Sequence, residues 1–283
     1  MKSSHIPDIP IQSSGVKAAG SLCLNACAVK QMLKTGVLGR ELVVLESAGS
    51  TNDILKDMAA KGASSGMVVA AREQTQGKGR LGRAWHSPKD ECLMFSVLLR
   101  PNTSPRGAAA ITQLTGLAVC RALTEQTGID CKIKWPNDII AGGKKLAGIL
   151  TEMSAEQDSV DYVVTGIGIN VLQSSFPEEL AHKATSLLLE TGKGFDQNNL
   201  LAALLARLEH CYTETGLSLT DRALGEYSAL CATLGRQVSF VRGGTRHSGR
   251  AEAIAPGGEL LVRLGSGETV PVGSGEVTVQ GIY

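Results

Sequence analysis

The stretch Gln74–Trp85, QTQGKGRLGRAW, sets glycines at positions 77, 79 and 82 and threads Lys78, Arg80 and Arg83 between them. This is the spacing of a dinucleotide-binding fingerprint, so its reading decides between an alternating α/β sheet and a different fold. A Rossmann turn needs its glycines directly after a strand and at the opening of a helix, with an acid about 20 residues on. Neither condition is met. The apolar run MVVAA ends at Ala71, short of Gly77, and Gly82 is followed by Arg-Ala-Trp-His-Ser-Pro, whose proline and missing apolar period exclude a helix. Two readings remain. The loop is either solvated basic surface, or a set of cations and backbone N–H groups that enclose an arriving anion such as a triphosphate or a mixed anhydride.

Upstream, STNDILKDMAAKG places N-capping groups at Ser50 to Asn52, an acid at Asp53, apolar residues Ile54, Leu55, Met58 and Ala59 at helical spacing, and Gly62 as a stop. That pattern predicts a helix. Strands are expected at 42–45, 67–71 and 93–99, and a long helix from Ala108 to Gln126 closed by Gly128. In CKIKWPND, Cys131, Ile133 and Trp135 alternate with Lys132 and Lys134, a half-buried strand that ends at Pro136. Further strands at 145–153 and 162–171 make 131–171 a strand meander, and helices return at 198–215 and 221–234. Runs of strands flanked by runs of helices define an α+β fold, a central mixed or antiparallel sheet with flanking helices. After Leu234, short strands broken by glycines suggest a small barrel-like β domain. The expected organisation is a tail with one short helix (22–33) over 1–36, a main domain over 37–233 and a β domain over 234–283. Residues 1 to 20, rich in Ser, Gly, Pro and Ala, read as a loosely attached tail.

With 283 residues, 43% of them hydrophobic, the chain is long enough for two domains. Lys plus Arg (28) nearly balance Asp plus Glu (27), so no global field draws nucleic acid or an anionic membrane, and anion binding must be local. Seven scattered cysteines form neither a disulfide framework nor a paired metal motif, which fits a reducing, cytoplasmic setting. Cys23 and Cys27 read as helix packing residues. No apolar run approaches the roughly 18 residues of a membrane span, and the apolar stretch Leu22–Val29 is interrupted by Asn25, unlike a signal peptide.

A second constellation is KWPNDIIAGGKKLAGIL. The Gly-Gly turn folds one strand back on the other and brings Asn137, Asp138 and Lys145 near one rim. These residues are either plain turn formers and solvated lysines, or a site. Lys145, leading into a wholly apolar strand, is well placed to aim a charge into a cleft. GIGIN (166–170) leaves one strand face without side chains, where either a flat ligand or a neighbouring helix fits.

Taken together and in this order, STN, EQTQGKGRLGRAW, KWPNDII, KKLAGILTE and GIGINV closely resemble the biotin protein ligases. The likeness is strong over 37–172, continues by pattern to 233, and extends to the C-terminal β domain by position and texture, implying an SH3-like module. It implies a magnesium-dependent ligase that joins biotin to ATP as biotinoyl-adenylate and passes the biotinoyl group to one lysine of the biotin carboxyl carrier domain of a carboxylase. By the resemblance, Ser50, Thr51, Asn52 and Gln74 bind biotin, together with Gly148. Gly77, Lys78, Gly79 and Arg80 wrap its carboxylate and the adenylate phosphate. Lys145 stands at the reacting carboxylate and α-phosphate; Arg83, Trp85, Asn137 and Asn170 lie at the nucleotide; Asp138 lies near the incoming lysine. Lys145, Arg80 and Asp138 form the catalytic set, and no metal ligand is assigned.

The physical logic agrees with those roles. Adenylation brings a carboxylate against a polyphosphate, so cations must offset repulsion and stabilise the charge building on phosphorus. Where most family loops carry arginine after the first glycine, this chain has Lys78, which keeps the charge and loses the bidentate fork. Members that double as repressors carry an N-terminal helix-turn-helix domain. The residues before about 40 offer one short helix and no basic recognition helix, so a monofunctional ligase without DNA binding is expected, free of membranes, with a homodimer allowed. Two other readings are a lipoate–protein ligase or octanoyl transferase of related fold, which needs a long apolar slot, and a ligand-sensing DNA-binding regulator, which the neutral charge opposes.

Overall fold

The computed structural model describes residues 23–156, 159–273 and 277–283. The tail expected over residues 1 to 20 lies outside them. Helix α1 (Ala26–Met32) is shorter than the expected 22–33: Asn25 caps it by accepting from the Ala28 N–H, and Leu33 is already extended. Strand β1 (Leu42–Leu45), helix α2 (Thr51–Ala60) and strand β2 (Val68–Ala71) form one βαβ unit with β1 and β2 parallel. This parallel crossover makes the sheet mixed within the expected α+β architecture. Strand β3 (Cys92–Leu99) runs antiparallel to β2. Short α3 (Pro105–Ala108) leads into α4 (Ala110–Thr127), which Gly128 ends in the left-handed region at φ 76°.

The expected meander follows as β4 (Lys132–Lys134), β5 (Asp138–Ala141), β6 (Lys144–Glu156) and β7 (Ser159–Asn170), each antiparallel to the next. Because β7 also pairs with β3, the seven strands order as β1-β2-β3-β7-β6-β5-β4. Two short helices, α5 (Glu178–Ala181) and α6 (Leu187–Thr191), precede α7 (Gln197–Thr215) and α8 (Asp221–Leu230), the last ending sooner than expected, at Leu230. A five-stranded antiparallel sheet of β8 (Gln237–Arg242), β9 (Thr245–Ile254), β10 (Leu260–Leu264), β11 (Thr269–Val272) and β12 (Val277–Val279) orders as β11-β10-β9-β8-β12. Among the described residues no ladder joins β11 to β12, so hydrogen bonding leaves the expected barrel open.

Period-two alternation in β3 sorts the two faces of the large sheet. Leu93, Phe95 and Val97 join the main apolar cluster with Ile111, Leu114 and Leu123 of α4 and Leu204 and Leu208 of α7. On the other face, Leu98 with Val69 and Val164 packs against Leu55 and Ala59 of α2. Trp135, 2% exposed, ties the two sheets together: its indole N–H donates to the Gly258 carbonyl at 3.0 Å and its backbone N–H to Thr233 Oγ1 at 3.0 Å. Gln113 Nε2 donates to the same Gly258 carbonyl at 3.2 Å.

Candidate active site

The site grows from the α2 side of the large sheet. Cross-strand pairing places Cys92, Met94 and Ser96 of β3 opposite Asn170, Gly168 and Gly166 of β7, and Gly148 of β6 opposite Gly168. Directly paired residues share a face, so this patch of sheet is floored by three glycines. Each gap is used. A Cβ on Gly166 would come within 2.2 Å of Asn52 Oδ1, and one on Gly168 within 2.7 Å of the Trp85 indole. Of the two readings left open for GIGIN, the neighbouring-helix one thus applies at Gly166, while at Gly168 a flat aromatic ring from the basic loop takes the glycine face.

Regular alternation back from Gly148 would put Leu146 on this face and Lys145 on the other. The register between β5 and β6 shifts at Ile139/Ile140, so that Lys145 lies opposite Ile140. This bulge re-aims Lys145. Its Cε would lie 3.1 Å from a Cβ on Gly148, whereas Leu146 is fully buried in the main core. The Lys145 backbone is held in turn by the Lys183 carbonyl, which accepts its N–H at 2.7 Å, and by the Thr185 N–H, which donates to its carbonyl at 2.9 Å.

At the rim, Lys145 Nζ lies 2.7 Å from Asp138 Oδ1 and 5.3 Å from the centroid of the Trp85 ring. The contact is an ion pair that covers Oδ1. The Trp85 Nε1–H is buried with no acceptor. Buried polar groups are seldom left so, except where a ligand or water completes them. Asn170, 4% exposed, donates to the Thr185 carbonyl at 2.9 Å and accepts from Gln173 Nε2 at 3.0 Å, pinning the end of β7 to the segment that supports Lys145.

The start of α2 and the basic loop close the remaining sides. Gln74 Oε1 accepts from the Thr51 N–H at 2.7 Å and from its hydroxyl at 3.0 Å, while Ser96 Oγ lies 2.6 Å from Asn52 Oδ1. Asn52 Nδ2 donates to Glu152 at 2.7 Å, and Lys56 joins Glu152 at 2.7 Å to Asp53 at 3.0 Å. Ser50 caps α2 by position, without a side-chain hydrogen bond. The loop folds on itself: the Gly79 N–H donates to Arg83 O at 2.7 Å and the Trp85 N–H to Gly77 O at 2.8 Å, around a 3₁₀ turn Arg80–Gly82 in which Leu81 has φ 58°. Lys78 pairs with Asp53 at 2.5 Å, and the Arg80 guanidinium donates to Asn137 Oδ1 at 3.1 Å. Burial works to raise the Asp53 carboxyl, but hydrogen bonds and charge from Lys78 and Lys56 outweigh it and hold the group below the usual carboxylate range.

These parts enclose two adjoining cavities. The smaller, about 50 Å³, is lined by Ser50, Thr51, Asn52, Gln74, Lys78 and the glycine floor. The larger, about 230 Å³, is lined by Arg83, Lys134, Asp138, Asn170, Lys183 and the aromatic rings of Phe176 and Tyr283. Gly79, Arg80, Trp85, Asn137 and Lys145 line both and form the wall between them. Among the described residues no group of three or more His, Cys, Asp or Glu could hold a metal ion.

Two family profiles match this chain: the Biotin/lipoate A/B protein ligase family over residues 44–170 and the Biotin protein ligase C terminal domain over residues 233–279. The biotin acetyl-CoA-carboxylase ligase of Mycobacterium tuberculosis is 35% identical over 253 residues, 87% of this chain and 92% of that protein. The chain belongs to the biotin protein ligase family. The bifunctional ligase/repressor BirA of Bacillus subtilis is 39% identical over 193 residues, 68% of this chain, and the chain thus spans 59% of that relative's length. The solved biotin protein ligase from Aquifex aeolicus in complex with biotin and ATP superposes with a TM-score of 0.72 at 31% identity, covering 85% of this chain and 99% of that one.

The residues assigned from the family likeness come together on this rim with one exception. Ser50, Thr51, Asn52, Gln74, Lys78 and Gly148 face the smaller cavity, Arg83, Asp138 and Asn170 the larger, and Gly79, Arg80, Trp85, Asn137 and Lys145 both. Gly77 lines neither; a Cβ there would come within 2.7 Å of the Trp85 carbonyl, so it serves the loop's own closure. Sequence reading missed Lys134, Lys183, Phe176 and Tyr283 in the larger cavity, and Ser96 beneath Asn52. Only Lys134 carried a signal, since its alternation with buried Ile133 and Trp135 already turned it outward.

Proposed function

We propose that this biotin protein ligase homologue activates biotin with ATP to biotinoyl-5′-AMP and transfers the biotinoyl group to one lysine of a biotin carboxyl carrier domain. The observation that carries the reading is the wall shared by the two cavities. A reaction that joins a carboxylate to a phosphate needs both anions to meet at fixed cations, and Lys145 and Arg80 stand in that wall. Biotin belongs in the smaller cavity, beneath Thr51, Asn52 and Gln74, and the nucleotide in the larger, among Arg83, Lys134 and Lys183 with Trp85 and Phe176 as apolar surfaces. The Aquifex neighbour, solved with both biotin and ATP, supports the same pairing of ligands.

The chemistry proceeds in two displacements. A biotin carboxylate oxygen attacks the α-phosphorus and pyrophosphate leaves; Lys145 and Arg80 offset the charge that accumulates on the pentacoordinate phosphorus. The acceptor amine then attacks the mixed anhydride's carbonyl carbon, AMP leaves, and the ammonium proton passes to the Asp138 carboxylate. Magnesium, if carried by ATP, would neutralise charge on the leaving pyrophosphate. Among the described residues lining the larger cavity, Asp138 is the side-chain carboxylate that would stand near it.

We further propose a ligase domain over 37–233, an SH3-like module over 234–283, action without DNA binding, and a cytoplasmic location consistent with seven unpaired cysteines. Among the described residues no helix is long and apolar enough to cross a membrane. The test is pyrophosphate release from ATP and magnesium with and without biotin. Release that depends on biotin supports adenylation, and ATP turnover indifferent to biotin removes it.

A further inference from the structure

Resting on the reading of Asp138 above, we propose that Tyr283 of the C-terminal β domain is a positioning residue for transfer, holding the Asp138 carboxylate in place while Lys145 moves from it to the substrate anion. The Tyr283 hydroxyl donates to Asp138 Oδ2, while the other oxygen, Oδ1, lies 2.7 Å from Lys145 Nζ. The Tyr283 backbone N–H donates to the Gly143 carbonyl at 3.2 Å, and Lys134 Nζ stands 3.6 Å from the centroid of its ring. Lys134 pairs with Asp138 across β4 and β5, and Gly143 lies in the turn beyond β5. Tyr283 therefore grips β5 at both ends, and it does so from a module whose strands, among the described residues, contribute only Val277 to the rim.

The grip matters because the two oxygens of Asp138 face different demands. When a carboxylate or phosphate enters the shared wall, its charge competes for Lys145, and an Asp138 released on that side would be free to rotate. A phenol on Oδ2 holds the carboxylate so that Oδ1, covered by Lys145 at 2.7 Å, meets the acceptor's ammonium once Lys145 has moved to the anion. The hydroxyl touches no reacting atom; it acts through the carboxylate.

The experiment is single-turnover transfer from preformed biotinoyl-adenylate to a carrier domain, at varied carrier concentration, for wild type, Tyr283→Phe, Asp138→Asn and the double variant. Tyr283→Phe keeps the ring beneath Lys134 and should lower the maximal transfer rate about tenfold, the scale of one hydrogen bond to a charged group, without raising the carrier concentration for half-saturation. In the Asp138→Asn background the same change should have no further effect. If Asp138→Asn slows transfer and Tyr283→Phe does not, the positioning role is overturned and the role of Asp138 stands. If neither slows it, the role of Asp138 falls and this inference with it. Equal, additive losses in both backgrounds would show that Tyr283 acts elsewhere, which also overturns the proposal.

Discussion

Trp85 lies flat against Gly168: a Cβ at position 168 would come within 2.7 Å of the indole, closer than such atoms approach. The ring thus occupies the open floor of the sheet and stands in the wall between the two cavities. The smaller of these measures about 50 Å³. A ligand lying on the Gly168 floor would take the space the ring now fills.

Gly168→Val would place a branched side chain on that floor, where it meets Trp85 in the free protein and any ligand laid there, so biotin affinity should fall. The strand itself, paired on both sides by β3 and β6, should keep its place. Isothermal titration with biotin checks this; affinity equal to wild type would mean that biotin does not use the glycine floor.

Lys145→Ala removes a charge that the bulge in β6 has turned onto the site face. A cation aimed at developing charge acts mainly in the transition state, so adenylate formation should fall by about a hundredfold or more while biotin binding changes far less. Rapid-quench assay of biotinoyl-adenylate measures the first and titration the second. Adenylate formed at the wild-type rate would remove Lys145 from the chemistry.

The Lys78–Asp53 pair tethers the basic loop to α2. Both partners are partly exposed, so the tether is worth no more than about 1 kcal/mol. Asp53 is held below the usual carboxylate range. A depressed native value places the tether's stabilisation above the unfolded value of about 3.9, fading as pH falls through the lower native value. Between about pH 7 and 8.5, where trypsin is used, the tether is therefore fully present and independent of pH. Asp53→Asn should speed tryptic cutting at Lys78 in the free protein by at most about fivefold. If Lys78, Arg80 and the loop N–H groups bind the anions of biotin and ATP as proposed, those ligands should slow cutting in both proteins. Equal cleavage with and without ligand would return the stretch to solvated surface.

Much of this was legible in the chain, for identifiable reasons. The alternation of Cys131, Ile133 and Trp135 and the cap at Ser50 are local signals, and the elements they mark formed where expected. The family motifs carried the site because their residues lie on adjacent strands and the loop above them. The βαβ crossover of β1 and β2 was missed, since period-two patterning marks a strand without naming its partner. The bulge at Ile139/Ile140 was equally invisible: sequence placed Lys145 near the rim, but only the register shift shows why its side chain leaves the core to Leu146. Tyr283 sits far along the chain from Asp138, with no motif around it, and such a contact is set by packing between domains rather than by local pattern.

Two-step transfer through an adenylate leaves its mark on the acceptor, where intact-mass measurement reads it. A purified carrier domain incubated with this protein, biotin, ATP and magnesium should gain the mass of one biotinoyl group on one lysine. It should gain nothing when biotin or ATP is omitted, when that lysine is replaced by arginine, or when Lys145→Ala replaces the wild type. A carrier whose mass is unchanged in the complete mixture, or a gain that does not require ATP, would rule out transfer through an adenylate.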